Sequence, residues 1–342
     1  MGYTKIFDPQ PLFKDLRTAA ERRVPASGDR RDGKVYVYTE PLVLAVNVAL
    51  ATGRPLLLRG PPGSGKSSAA YNIARILGRR YYEKVITSRM TANDLLWRYD
   101  AVRRLGDAQV AAAAKSRRRK AAPRRWESYH PYIQPEVMWW VFDRASAERR
   151  GLPADEKLFF EPAVDPAVYT PPRKPDAPAV VLLDEIDKAE PDVPNNLLVT
   201  MGSMEFQVDE LQCTVKLQHA ENLPLLIVTT NEERQLPSAF LRRCVVHRFP
   251  APTREELIAL ATKVEPRSSA AFHERIAAAM ERLADERRKS TREEFTPSVA
   301  EFLDAVRACQ RLGSNKIDVQ TIDDIVERAT WKTPHEKRPA NA

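Results

Sequence analysis

The 342-residue sequence predicts an α/β protein, a parallel sheet covered by helices, with an all-helical C-terminal part. Three observations carry this. Short, uniformly apolar runs alternate with segments of helical periodicity, as buried parallel strands do. The first such run, PLLLRG, ends in a glycine-rich turn that opens a helix. Beyond about residue 251 the pattern turns to amphipathic helices, with no convincing strand.

Taken in order, residues 1–34 form an N-terminal extension holding one amphipathic stretch, FKDLRTAAERR, and a polar loop. VYVYTEPLVLAVNVALATG reads as a strand edge and a helix. PLLLRG (55–60) is a buried strand entering a turn, and SSAAYNIARILG (67–78) is a helix with a glycine stop. YYEKVITS (81–88), rich in aromatic and β-branched residues, is a second strand. TANDLLWRYD carries an N-cap candidate, Thr91 or Asn93, into a helical turn. Residues 105–178 form an insertion zone with one helix, PEVMWWVFDRASAERRG, in which Trp139 and Trp140 serve packing.

AVVLLDEID (179–187) is the next buried strand. Residues 195–217 read as a helix and a hairpin, with EFQV and TVKL alternating about DEL. NLPLLIVTTN and VVHRFP complete the strands. Residues 35–250 therefore form the α/β core, 251–332 a helical domain of four amphipathic segments, and 333–342 a tail.

Composition narrows the class. A hydrophobic content of 43% supplies a sizeable core, and no apolar run approaches the ~20 residues of a membrane span. The N-terminus lacks a secretory apolar region, and Ile6 breaks the myristoylation pattern. Cys213, Cys244 and Cys309 are scattered, without metal-binding or disulfide spacing, and no histidine reads as a metal ligand. A cytoplasmic protein without a membrane anchor is the expectation. The net charge of +8 is local: KSRRRKAAPRR (115–125) carries seven basic residues and no acid, and without it the charge is +1.

GPPGSGKS (60–67) fits the pattern G-x-x-x-x-G-K-[ST], with a strand before it and a helix after. Glycines let the backbone wrap an anion. The amides of Gly63, Ser64 and Gly65 would cradle phosphates, aided by the helix N-terminus at Lys66. Gly60, Pro61, Pro62 and Ser68 complete the nucleotide-binding set. Lys66 would reach the β and γ phosphates, and Ser67 would ligate Mg²⁺. VVLLDEID (180–187) delivers Asp184 and Glu185 at a strand's C-terminal end, where ligands sit in open α/β sheets. Asp184 would bind Mg²⁺ through water, and Glu185 would act as general base on the attacking water. At the tip of LLIVTTN, Asn231 is the first candidate to hold that water, with Thr230 next.

The arrangement resembles the AAA+ ATPases over residues ~35–330. GPPGSGKS resembles Walker A, LLDEID Walker B, TTN sensor 1, and LPSAFLRRC the arginine-finger helix. The hairpin at 205–217 is similar to the pre-sensor hairpin of one AAA+ clade. ITSRMTANDLLWRYD and the insertion with EVMWWVF resemble its MoxR branch, related to dynein. The resemblance implies a P-loop NTPase core with a C-terminal all-α lid, bound ATP and Mg²⁺, and a ring, most often a hexamer. It also implies that Arg243, or alternatively Arg242, completes a neighbouring subunit's site, and that the partner is a protein bearing a von Willebrand factor A domain in a bacterial stress or defence system. One departure stands out. FTPSVAEFL places Ser298 where the lid's sensor-2 arginine belongs, so either another residue such as Arg292 serves or the lid couples weakly.

Two other functions fit the residues. The basic segment 115–125 could contact nucleic acid, making the protein a nucleic-acid-stimulated NTPase motor of restriction or defence type. That segment lacks the interleaved aromatics that stack bases. Alternatively the protein is a nucleotide-gated scaffold without turnover, against which the intact Glu185 argues.

Overall fold

A computed structural model describes residues 3–9, 36–114, 125–171, 177–218, 223–266, 268–291, 298–313 and 318–330. Most of the N-terminal extension, residues 115–124 of the basic segment, Arg292, His219 and His335 lie outside the described residues. The chain divides into two compact units. One comprises Met1–Ala19, Glu40–Leu58 and Ala70–His247; the other comprises Ala20–Thr39, Arg59–Ala69 and Arg248–Ala342.

The strands are β1 (Leu56–Arg59), β2 (Arg80–Val85), β3 (Trp97–Tyr99), β4 (Ile133–Pro135), β5 (Ala179–Asp184), β6 (Glu205–Val208), β7 (Cys213–Lys216), β8 (Leu225–Thr230) and β9 (Val245–Arg248). Five of them form one sheet in the order β2-β5-β8-β1-β9. β2 runs parallel to β5 from Arg80↔Ala179 to Val85↔Asp184. β5 runs parallel to β8 from Val180↔Leu225 to Leu183↔Val228. Parallel pairing aligns the C-terminal ends, so Val85, Asp184 and the threonines closing β8 share one sheet edge. Leu56–Leu58, Val180–Leu183 and Leu225–Val228 are buried throughout, as expected for a sheet covered on both faces. Each such side chain contributes about 1.5–3 kcal/mol of apolar burial.

The covering helices begin with α1 (Glu40–Thr52) and α2 (Lys66–Leu77). Gly78, at φ +60°, ends α2 as the glycine stop requires. No strand forms at residues 36–39, in contrast to the strand edge expected there. TANDLLWRYD becomes a 3₁₀ turn, Ala92–Leu95, with Thr91 at its N-cap, and then β3, which pairs antiparallel with β4. α3 (Ala101–Ala114) follows β3.

The single helix expected over residues 135–151 is instead two, α4 (Val137–Phe142) and α5 (Arg144–Glu148). Asp143 breaks it: in an extended conformation its carboxylate accepts from Ser146 N and caps α5. Every residue of α4 is buried, Trp139 and Trp140 included. α6 (Asp192–Ser203) leads to the β6–β7 hairpin, whose Phe206 stacks on Trp97 (ring centroids 5.8 Å apart) and meets Trp139 edge-on. α7 (Ser238–Arg243) precedes β9.

The second unit contains α8 (Arg254–Val264), α9 (Ala270–Thr291), α10 (Val299–Gly313) and α11 (Val319–Thr330). A Thr253–Glu256 capping box starts α8. Phe272, Ile276, Met280, Phe302, Val306, Ile322 and Val326 make this unit's own core. Among the described residues no helix is long and apolar enough to cross a membrane.

Candidate active site

The phosphate loop belongs to the helical unit. β1 hands the chain to Gly60, and α2 begins at Lys66. Gly65 sits at φ +91°, a conformation that glycine adopts without steric cost, and it turns the chain into the helix. Ala69 N donates to Gly65 O at 2.9 Å as the helix's first full bond. The Lys66 side chain is only 5% exposed, and its ammonium donates to Gly60 O and Pro61 O at 2.8 Å each. A buried cation, backbone amides and a helix N-terminus in one loop are the donor set that suits polyphosphate. Gly60 through Ser68 run as one continuous stretch from β1 into α2, and Tyr36 flanks it at Gly65. The Ser67 hydroxyl on α2 is the residue here that would hold Mg²⁺.

The acidic strand end belongs to the sheet unit. Asp184 closes β5, and Glu185 follows in the left-handed conformation, φ 61° and ψ 47°. That geometry is uncommon for a residue with a Cβ and costs about 1 kcal/mol or more. Thr229 of β8, 1% exposed, holds both acids. Its hydroxyl donates to Asp184 Oδ1 and accepts from Glu185 N at 2.9 Å. The Glu185 carboxylate accepts from Lys188 Nζ at 2.6 Å on one oxygen and from Asn231 Nδ2 at 3.4 Å on the other. Asp187, 2% exposed, pins the chain leaving β8 by accepting from Asn231 N at 3.2 Å and Glu233 N at 3.0 Å. A cleft of about 360 Å³ opens beside these groups, lined by residues 85–88, Glu185, Asp187, Lys188 and residues 233–234.

Asp184, Glu185 and Asn231 are therefore brought together, while Thr230 is not part of the cluster. Its hydroxyl accepts from Glu232 N within the following loop. Sequence reasoning missed Thr229, Asp187 and Lys188. Alternation along VTTN is the signal for Thr229, because a strand residue two positions before Asn231 shares its face. Lys188 lies three residues after Glu185, a spacing that brings side chains together on a helical turn.

Arg242 and Arg243 end α7, and both side chains are exposed. Neither has an ion-pair partner among the described residues. The backbone of Arg242 is held, since Arg54 Nη2 donates to its carbonyl at 2.6 Å. Cys244 is buried behind them, and burial pushes its thiol up to about 12. The helix end is thus fixed while its two guanidinium groups face outward.

Residues 55–244 match the AAA domain of the dynein-related subfamily. No curated protein sequence matches the chain. Among solved structures, a point mutant of RuvB from Thermotoga maritima is 15% identical, with a TM-score of 0.42, covering 85% of this chain and 67% of its own. RuvB of the same organism, described as a Holliday junction branch migration motor, is 16% identical with a TM-score of 0.38, covering 84% and 65%. A candidate ATPase from Cytophaga hutchinsonii is 13% identical with a TM-score of 0.38, covering 83% and 78%. The chain spans about two thirds of the length of the RuvB chains.

Proposed function

The chain belongs to the dynein-related subfamily of AAA domains and is an ATPase, and from that premise we propose that it is a Mg²⁺-dependent, MoxR-like ring protein that remodels a protein partner. The observation that carries the proposal is the acidic strand end. Glu185 is presented at the edge of the sheet by a left-handed backbone, with Thr229 fixing its amide and Asn231 beside its carboxylate.

In this reading Gly63, Ser64, Gly65 and Lys66 hold the phosphates of ATP. Ser67 and Asp184 hold Mg²⁺, which when bound neutralises charge on the phosphate oxygens. Glu185 takes the proton of the attacking water, and Asn231 orients that water. Arg243, with Arg242 as the alternate, reaches a neighbouring copy in a hexameric ring. A planar guanidinium forks onto phosphate oxygens and stabilises charge as the bond breaks. Conformational work then passes to a partner with a von Willebrand factor A domain, in a bacterial stress or defence setting. That partner assignment rests on family resemblance alone.

The test is phosphate release by Lys66→Ala and Glu185→Gln variants of the full chain. Lys66→Ala is expected to lose nucleotide binding, and Glu185→Gln to bind nucleotide without turning it over. Turnover at the wild-type rate in both variants would overturn the proposal.

A further inference from the structure

The phosphate loop touches α10 directly, at the place where the sequence lacks the sensor-2 arginine. Gly63 has φ +71°. A Cβ built on it would lie 2.5 Å from Ser298 Oγ and 2.8 Å from Ser298 Cβ, closer than real Cβ atoms approach, and 3.0 Å from Ala300 Cβ, a tight contact. Glycine at 63 thus admits the start of α10 against the loop. Ala300 N, an amide in the helix's first turn, donates to Gly63 O at 3.1 Å. Ser298 and Glu301 form a capping box: Ser298 N and Oγ each donate to Glu301 Oε2 at 2.8 Å, and Glu301 N donates back to Ser298 Oγ. Behind the cap, Phe302 and Val306 are fully buried in the core of the helical unit.

Gly63 O and Ser64 N–H belong to one peptide plane and point in opposite directions across it. Ser64 N currently donates to Pro61 O at 3.4 Å, a long bond that a better acceptor would replace. We propose that the lid senses nucleotide through this Gly63–Ser64 peptide plane, with Ala300 N–H bonding one side and a phosphate oxygen the other, in place of a phosphate-directed arginine at position 298. Hydrogen bonds in such a chain polarise and strengthen one another, so phosphate on Ser64 N–H tightens Ala300 N–H on Gly63 O. Ala300 is accordingly a positioning residue, acting on nucleotide through the loop. The inference rests on residues 60–67 being the phosphate site.

Ala300→Pro tests it by removing the donor at a first-turn position, where helices tolerate proline. Val299→Pro, one residue earlier, keeps the Ala300 N–H and serves as control. Affinity for a non-hydrolysable ATP analogue is measured on the full chain, with hydrogen exchange over residues 298–306. Wild type and Val299→Pro are expected to exchange more slowly there when nucleotide binds. Ala300→Pro is expected to lose that response and to bind the analogue about 2–10-fold more weakly, the worth of one hydrogen bond. Retention of nucleotide-dependent protection in Ala300→Pro overturns the proposal. So does wild type that binds nucleotide with unchanged exchange at 298–306, a measurement that stands even if Ala300→Pro fails to fold. Wild type that binds no nucleotide would instead overturn the phosphate-site reading.

Discussion

The Lys188 ammonium lies 2.6 Å from the Glu185 carboxylate, so the acid proposed as general base is ion-paired within its own turn. Asn231 engages the other carboxylate oxygen. A water that is to give its proton to Glu185 competes with these two partners for the carboxylate. Lys188 is the partner to yield, since its side chain is 40% exposed and the cleft offers it room. An ion pair this exposed holds about 0.2–1 kcal/mol. Lys188→Met should therefore raise basal kcat by about 1.5–5-fold with KM for ATP unchanged, while Lys188→Arg keeps the wild-type rate. Steady-state kinetics on the three proteins decides it. A fall in kcat for Lys188→Met would mean that the pair orients the base and does not restrain it.

The Thr229 hydroxyl bonds both residues of the strand end, the Asp184 carboxylate and the Glu185 amide. Valine has nearly its shape without the hydroxyl, so Thr229→Val leaves the Glu185 amide and an Asp184 oxygen without this partner. Losing a buried hydrogen-bond partner costs about 1–3 kcal/mol. If that cost falls on the alignment of the acids, kcat drops about 10–100-fold. Thr229→Ser, which keeps the hydroxyl, should retain most of the activity. Circular dichroism of Thr229→Val should match wild type, and a kcat within twofold of wild type would remove Thr229 from the site.

Much of this site is legible in the sequence because its parts are contiguous. The loop 60–67 is a local pattern, and Asp184 and Glu185 end an apolar run whose length and neighbours mark it as a buried strand. What escapes is set by pairing across strands. Thr229 meets Asp184 only because β5 and β8 are neighbours in a particular register, 45 residues apart in the chain. The break at Asp143 escapes for a different reason. Helical periodicity continues through DRASAERR, yet Asp143 is extended, and its carboxylate and carbonyl accept from Ser146 N and Ala147 N to start a new helix there. The meaning of Ser298 is likewise invisible in sequence: it reads as a missing arginine until Gly63 is seen against it.

The helical unit carries a pH-sensitive element. His273 is fully buried in α9, where Nδ1 lies 3.2 Å from Thr262 Oγ1 and Nε2 lies 2.5 Å from Ser268 Oγ. Burial lowers its pKa below the usual histidine value, partly offset by the Glu265 carboxylate. The folded state therefore binds the proton less readily than the unfolded chain. Its contribution to stability is fully present above the unfolded value of about 6.5 and is lost as pH falls toward the lower folded value. Thermal melts at pH 7.5 and pH 5.5 should show acid destabilisation of the unit containing α8–α11. His273→Gln should be less stable at pH 7.5 but should lose less on acidification. An equal drop in Tm for both proteins would assign the acid sensitivity to other groups.

The outward-facing arginine pair supplies the test of assembly. Arg242 and Arg243 are exposed and have no ion-pair partner among the described residues, although the helix end that carries them is held by Arg54. A finger acting on a neighbouring copy is worth about 10³–10⁵ in rate. Arg243→Ala rings should then bind ATP but turn it over at least about a thousandfold more slowly. Lys66→Ala subunits lack the cation proposed to bind phosphate but retain the arginine. Mixing the two inactive proteins places intact arginines beside intact phosphate loops at some interfaces, so part of the ATPase activity should return. Arg242→Ala in the same experiment identifies which guanidinium acts. If mixed rings assemble by native mass spectrometry and stay inactive, Arg243 does not act across the interface.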